Sequence, residues 1–194
     1  MAKGSKKEGG GIGELLAYAG NRKFLTYLGM VLSALSQLLS FGPYVCIWLV
    51  ARDLIAVAPN WSEACDIAMY GWWAVGFALA SIVAYFVGLM CTHLSAFRCA
   101  SNIRKTTSEH LLKLPLGYFD THATGELRRV VDGCAASTET LLAHMLPDIA
   151  GAAAMVVGLL VLLFALDWRL GAACLISVVI SFGAMATMMS GKGA

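Results

Sequence analysis

Charged side chains divide the chain into blocks. Asp, Glu, Lys and Arg are missing from four stretches, 24–51, 67–97, 149–166 and 170–191. About 20 apolar residues in a helix cross a hydrocarbon core of roughly 30 Å, so each stretch predicts a membrane-spanning helix. Barrel strands alternate apolar and polar positions with period two, and no such alternation is present. A backbone in lipid must also satisfy its own N–H and C=O groups, which a helix does within one segment. The pattern therefore predicts an all-α polytopic membrane protein with long transmembrane helices extending into the cytoplasm. The apolar run before Ala56-Val57-Ala58 exceeds the roughly 7–15 residues of a signal-peptide core, so the first span is expected to be retained.

Basic residues orient these spans. Lys3, Lys6, Lys7, Arg22 and Lys23 precede the first, and Arg98, Arg104, Lys105, Lys113, Arg128 and Arg129 lie between the second and third. The remaining two connections hold only Arg52 and Arg169. The positive-inside bias then predicts a cytoplasmic N-terminus and a cytoplasmic 98–148 segment. Residues 1–13, rich in Gly and Lys, read as a disordered cytoplasmic tail.

Composition agrees with a bilayer as solvent. The chain is 59% hydrophobic and 13% charged, against about 25% charged for soluble domains, and its mean hydropathy is +0.73. A net charge of +2 lacks the basic footprint of a nucleic-acid binder, so no nucleic-acid partner is expected. Cys46, Cys65, Cys91, Cys99, Cys134 and Cys174 form no C-x-x-C pair and read as small packing residues. Gly76, Ala80, Ala84, Gly88, Thr92, Ala96 and Ala100 recur at every fourth position of the second span, a ridge that lets another helix approach closely. Four residues advance about 400°, so the ridge drifts around the axis.

The segment 98–148 is too long to be a tether. Residues 98–114 contain no Gly or Pro and predict a helix continuing roughly 25 Å beyond the membrane, until Pro115 and Gly117 break it. A second helix starts near Thr124, a plausible N-cap ahead of Glu126, and returns to Pro147. Between them stands a tip, 115–121, built on Pro115, Leu116, Gly117, Tyr118, Phe119 and Asp120. Leu116, Tyr118 and Phe119 have no membrane to enter at that distance, which suits them to docking a soluble partner. Arg128, Arg129, Asp132 and Glu139 read as ion pairs along these helices.

Polar residues within the spans are candidates for a cargo path or gate: Gln37, His93, His144 and Asp148. His144 and Asp148 stand four apart on one helix face. Pro147 leaves the carbonyl of Ala143 without its backbone donor and predicts a kink there. No catalytic or metal motif is found, and the Gly191-Lys192 pair lacks the spacing of a phosphate-binding loop, so no cofactor is assigned to these residues. Two other readings are compatible with them: a complete four-span scaffold or small-solute carrier without an ATPase, and a membrane enzyme using His93, His144 and Asp148 around a metal.

The run Leu112-Lys113-Leu114-Pro115-Leu116-Gly117-Tyr118-Phe119-Asp120-Thr121-His122-Ala123-Thr124-Gly125-Glu126-Leu127 resembles the first intracellular loop of exporter-type ABC transporter membrane domains, whose pattern is LP-x-x-(F/Y)F-D-x-x-x-(T/S)GE. The resemblance implies the first four spans of a six-helix membrane domain, with 115–121 as the coupling helix seated in a nucleotide-binding domain. It implies that ATP and Mg belong to that domain, absent from this chain, and that a second transporter half completes a homo- or heterodimer in the bilayer. After Gly125-Glu126-Leu127 the chain reads Arg128-Arg129-Val130-Val131-Asp132, then Glu139, His144, Pro147 and Asp148, which looks more like the siderophore-uptake branch of that architecture. A chain carrying four of the six spans is expected to be a fragment, or to be served by a separate ATPase.

Overall fold

The computed structural model describes residues 11–58, 66–121 and 123–189. Of the tail expected to be disordered over residues 1–13, residues 11–13 instead begin a helix, and residues 1–10, the stretch 59–65, His122 and the Gly191-Lys192 pair lie outside the described residues. The elements are α1 (Gly11–Tyr18), a 3-10 turn (Gly20–Arg22), α2 (Lys23–Leu39), α3 (Gly42–Val57), α4 (Ile67–Leu111), α5 (Gly117–Thr121), α6 (Thr124–Thr140), a π-helical segment (Leu141–Met145), α7 (Leu146–Leu166) and α8 (Trp168–Met189). Among the described residues there is no strand, and four helical stretches are long and apolar enough to cross a membrane.

Each span ends or bends where its sequence demands it. The first uncharged window becomes two helices, α2 and α3, because Pro43 has no N–H for the carbonyl of Leu39 and its ring crowds that turn. The chain there tightens to a Phe41 N–H to Leu38 O bond of 3.2 Å before α3 resumes with Val45 N–H to Phe41 O at 3.0 Å. By contrast α4 contains no proline and runs unbroken for 45 residues. At 1.5 Å per residue that is about 68 Å, more than twice the hydrocarbon thickness, so its inner part must project from the bilayer. It closes with bonds from Lys113 N–H to His110 O at 3.0 Å and Leu114 N–H to Leu111 O at 3.1 Å, just ahead of Pro115. Between α7 and α8 the reversal is made at Asp167 alone, whose carboxylate accepts the Arg169 N–H at 2.9 Å as a cap.

Burial is inverted relative to a soluble protein. Among the described residues the buried polar side chains are Thr26, Ser33, Ser36, Thr92 and Ser95, whereas Phe86, Val161, Ile176 and Phe182 face outward. Lipid is as apolar as leucine, so helices gain by close backbone approach and hydrogen bonding instead of by hiding large side chains. The first-span helix α2 is the centre of this packing, antiparallel to α4 and parallel to α7. Along its length Thr26 meets Ser95 with hydroxyl oxygens 2.7 Å apart, Gly29 meets Gly88 and Thr92, and the Ser36 carbonyl accepts the Ser81 hydroxyl at 2.9 Å. On its other flank Ser33 and Gln37 press on Gly151, and Leu38 and Phe41 on Gly158. The small-residue ridge of α4 is buried at Gly88, Thr92, Ala96 and Ala100 but exposed at Gly76 and Ala80, as the drift of a four-residue spacing requires.

At the end nearer the hairpin α1 docks on α4. Leu16 and Ala19 are buried with Ala96, Cys99, Leu142, Ala143 and Leu146, and Asn102 Nδ2 donates to the Tyr18 carbonyl at 2.8 Å. Gly20, at φ +59°, turns the chain from α1 toward α2, a conformation that glycine adopts without strain. At the end of the spans away from the hairpin Trp48, Trp72, Trp73 and Trp168 are exposed, and the Arg52 guanidinium sits 5.3 Å from the Trp48 ring centroid. Such rings mark a membrane–water interface.

Gly29→Ala drives a methyl group into Thr92 Cγ2 and to 2.8 Å from the Gly88 carbonyl oxygen. Backbone cannot yield cheaply, so a loss of about 1–3 kcal/mol is expected. Gly88→Ala, whose nearest neighbour is Leu32 Cβ at 3.0 Å, should cost less, and Gly76→Ala, with nothing within 4 Å, should stay within about 0.5 kcal/mol of the parent. Thermal unfolding of the purified protein in detergent checks this order.

Candidate functional site

The tip reading and the gate reading fall in two separate places. At the tip Pro115 fixes the turn, and α5 winds through bonds from Tyr118 N–H to Pro115 O at 3.0 Å and Phe119 N–H to Leu116 O at 2.9 Å. The three apolar residues expected to face a partner do not act alike. Leu116 is 85% exposed, while Tyr118 and Phe119 are half-buried. Their rings meet edge to face, 5.7 Å between centroids. Phe119 turns into the hairpin itself, where it lines a cavity of about 420 Å³ between α4 and α6 with Leu111, Leu127 and Val131. Pro115, Gly117 and Asp120 are exposed beside Leu116.

The hairpin is strapped by charge. The Asp132 carboxylate receives Arg104 Nε at 3.3 Å across the α4–α6 gap and Arg128 Nε at 3.6 Å from one turn back in α6. Both partners are largely solvated, so the strap is weak, roughly 0–1 kcal/mol per pair. Arg128 and Asp132 thus pair as expected from sequence, with Arg104 as the added partner. Arg129 and Glu139 make no ion pair among the described residues.

The gate candidates converge on the foot of α7. Here the α6 ladder widens into the π segment Leu141–Met145, closed by Leu146 N–H to Leu141 O, and Pro147 follows at once. The carbonyl of Ala143, deprived of its backbone donor by Pro147, accepts the Thr92 hydroxyl at 3.1 Å. The Pro147 carbonyl accepts the Ser33 hydroxyl at 2.9 Å. One residue on, the His93 and His144 rings meet edge to face with centroids 4.9 Å apart, and His93 also stacks at 5.6 Å on Phe97. His144 makes this ring contact while staying exposed, as Asp148 is, and the two form no ion pair. Gln37 lies half-buried between α2 and α7, its Cγ packed over Gly151.

So His93, His144 and, more distantly, Gln37 share one junction with Asp148 at its edge, while the tip is remote from it. Among the described residues no three His, Cys, Asp or Glu side chains gather to hold a metal. Thr26, Ser33, Ser36, Thr92 and Ser95 were not singled out as polar contacts by sequence. The signal was present in α2, where Thr26, Gly29, Ser33 and Ser36 fall at helical spacing on one face of an otherwise apolar run.

Comparison with known proteins places this geometry. The family model described as ABC transporter transmembrane region matches residues 25–191. Similar proteins include the mycobactin import ATP-binding/permease protein IrtA of Mycolicibacterium smegmatis, 29% identical over 167 residues, covering 84% of this chain and 18% of that protein. The IrtA of Mycobacterium tuberculosis is 30% identical over 142 residues, covering 73% of this chain and 16% of its own length. The ATP-dependent lipid A-core flippase of Photobacterium profundum is 25% identical over 118 residues, covering 59% and 20%. This chain therefore spans a fifth or less of the length of these relatives.

Asp132→Asn removes the shared partner of Arg104 and Arg128. A loss of less than about 1 kcal/mol is expected in low salt, vanishing above roughly 0.5 M salt as screening sets in. Melting of parent and variant at both ionic strengths checks it.

Proposed function

We propose, from the premise that the chain belongs to the ABC transporter transmembrane region family, that α4, α5 and α6 form the lever by which a nucleotide-binding domain moves these spans. The single observation that carries this reading is Leu116, an 85%-exposed leucine at the tip of a hairpin whose supporting helix is about 68 Å long. In water such a side chain is an unmet apolar contact, and in a groove of a soluble domain it becomes an anchor. Phe119 holds the tip to its own hairpin from behind, so a push on Leu116 is passed to α4 and α6 together.

ATP and Mg are assigned to the nucleotide-binding domain, with Pro115, Leu116, Gly117, Tyr118 and Asp120 presented to it and Phe119 supporting them. A second membrane half completes the pathway, and the spans alternate between inward and outward openings as the nucleotide-binding domains close and part. A cytoplasmic N-terminus is supported by the basic residues clustered at one end of the spans and the exposed tryptophans at the other. His144 and Asp148, exposed at the foot of α7, are the polar groups best placed to meet cargo at the inner mouth, and Gln37 and His93 act between helices. The relatives named for mycobactin import support a siderophore cargo moving inward.

Leu116→Asp in the complete transporter places an unpaired charge in the proposed groove. Membrane insertion and the melting temperature should be unchanged, because Leu116 touches little of its own chain, whereas ATP-driven uptake of radioiron presented on a lipophilic siderophore should fall about tenfold or more. Uptake equal to the parent's overturns the lever.

A further inference from the structure

Thr92 carries one hydroxyl hydrogen and has two carbonyl oxygens in reach. Leu89 O lies 2.9 Å away in its own helix, and Ala143 O lies 3.1 Å away in the π segment. A hydroxyl donates a single hydrogen, so a full bond to one oxygen is a forfeited bond to the other. Donation to Leu89 is the local back-bond that threonine commonly makes in helices. Donation to Ala143 supplies what Pro147 cannot, since proline four residues on has no N–H. Thr92 is fully buried, so water does not stand in for the missing donor.

The surroundings make this choice consequential. The Thr92–Ala143 and His93–His144 contacts lie side by side between α4 and the π segment. On the far side Ser33 fastens Pro147 O to α2. The segment Leu141–Met145 thus joins stalk helix to span through side-chain bonds at both flanks, in place of an uninterrupted α-helical ladder. Short π segments of this kind mark places where a helix changes course.

We propose that Thr92 is a positioning residue for transport: by passing its hydroxyl hydrogen between Ala143 O and Leu89 O it latches or frees the π junction through which movement of α6 reaches α7. The proposal deepens the transporter reading and rests on it. No bond other than this hydrogen bond is made or broken. The latched state holds α6 and α7 as one lever with α4, and the freed state lets α7 reorient about Pro147.

The test is amide hydrogen exchange of the complete transporter in lipid nanodiscs, without nucleotide and with ATP plus vanadate. In the nucleotide-free parent, amides of 141–146 should exchange slowly. Thr92→Val should speed them by about threefold to tenfold, the scale of one interhelical hydrogen bond lost, while Thr92→Ser, which keeps the hydroxyl, should match the parent. Because Thr92→Val could disturb packing, a second arm uses Pro147→Ala, which restores a backbone donor near Ala143; in that background Thr92→Val should change exchange by less than about twofold. Equal exchange in Thr92→Val and parent overturns the latch, as does equally fast exchange in Thr92→Ser, or an undiminished Thr92→Val effect beside Pro147→Ala. A parent whose hairpin exchange is indifferent to nucleotide counts instead against the transporter reading beneath it.

Discussion

Inside a bilayer no hydrophobic effect distinguishes a neighbouring helix from lipid, and that constraint governs how this chain is held together. The close pass of α2 over α4 at Gly29 and Gly88 exists because neither residue has a side chain to keep the backbones apart. Once the backbones are near, short hydroxyl side chains reach across: Thr26 to Ser95, Ser81 to the Ser36 carbonyl, Ser33 to the Pro147 carbonyl. Each such bond is worth only about 0.6 kcal/mol on average, so the seam depends on having many of them at matched positions. Large apolar residues are consequently free to face outward, where lipid or further helices receive them.

The same seam sets what can move. Helix α4 runs unbroken from Ile67 to the base of the hairpin tip, clasped by α2 along its apolar part and by α1 where the hairpin begins. The return path through α6 and α7 is not continuous, because the π segment and Pro147 interrupt it. One arm of the hairpin is a rod and the other is jointed. Under the proposed function, a displacement at the tip is carried rigidly by one arm and converted to a change of direction by the other.

Much of this was legible in the residues. Gaps between charges located the spans, since a charge within lipid is costly whatever the fold. The helix breakers Pro115 and Gly117 located the tip, and Pro147 correctly identified Ala143 as a carbonyl in need of a donor. What sequence did not reveal was which group answered that need, because Thr92 lies 51 positions away and only the register of α4 on the π segment brings it near. The bend at Ser40–Phe41 was signalled by Pro43 but hidden by the uninterrupted apolar run. The inward turn of Phe119 could not be read from its neighbours, as Leu116 stands just ahead of the five-residue helix Gly117–Thr121 while Tyr118 and Phe119 fall on different sides of it. Helix α1 is not legible in its own residues because glycines and lysines precede it, and its stability comes from Ala96, Cys99 and Leu142 far along the chain.

The claim that α4 acts as an unbending rod is tested most directly by the distance between spin labels replacing Ile82 and Glu109, both exposed on that helix. Twenty-seven positions at 1.5 Å each put the labels about 40 Å apart. In the complete transporter a rigid rod gives one narrow distance distribution, the same with and without ATP, while transport proceeds. A distribution that broadens or shifts on adding nucleotide would show that α4 flexes, and the lever would have to be abandoned.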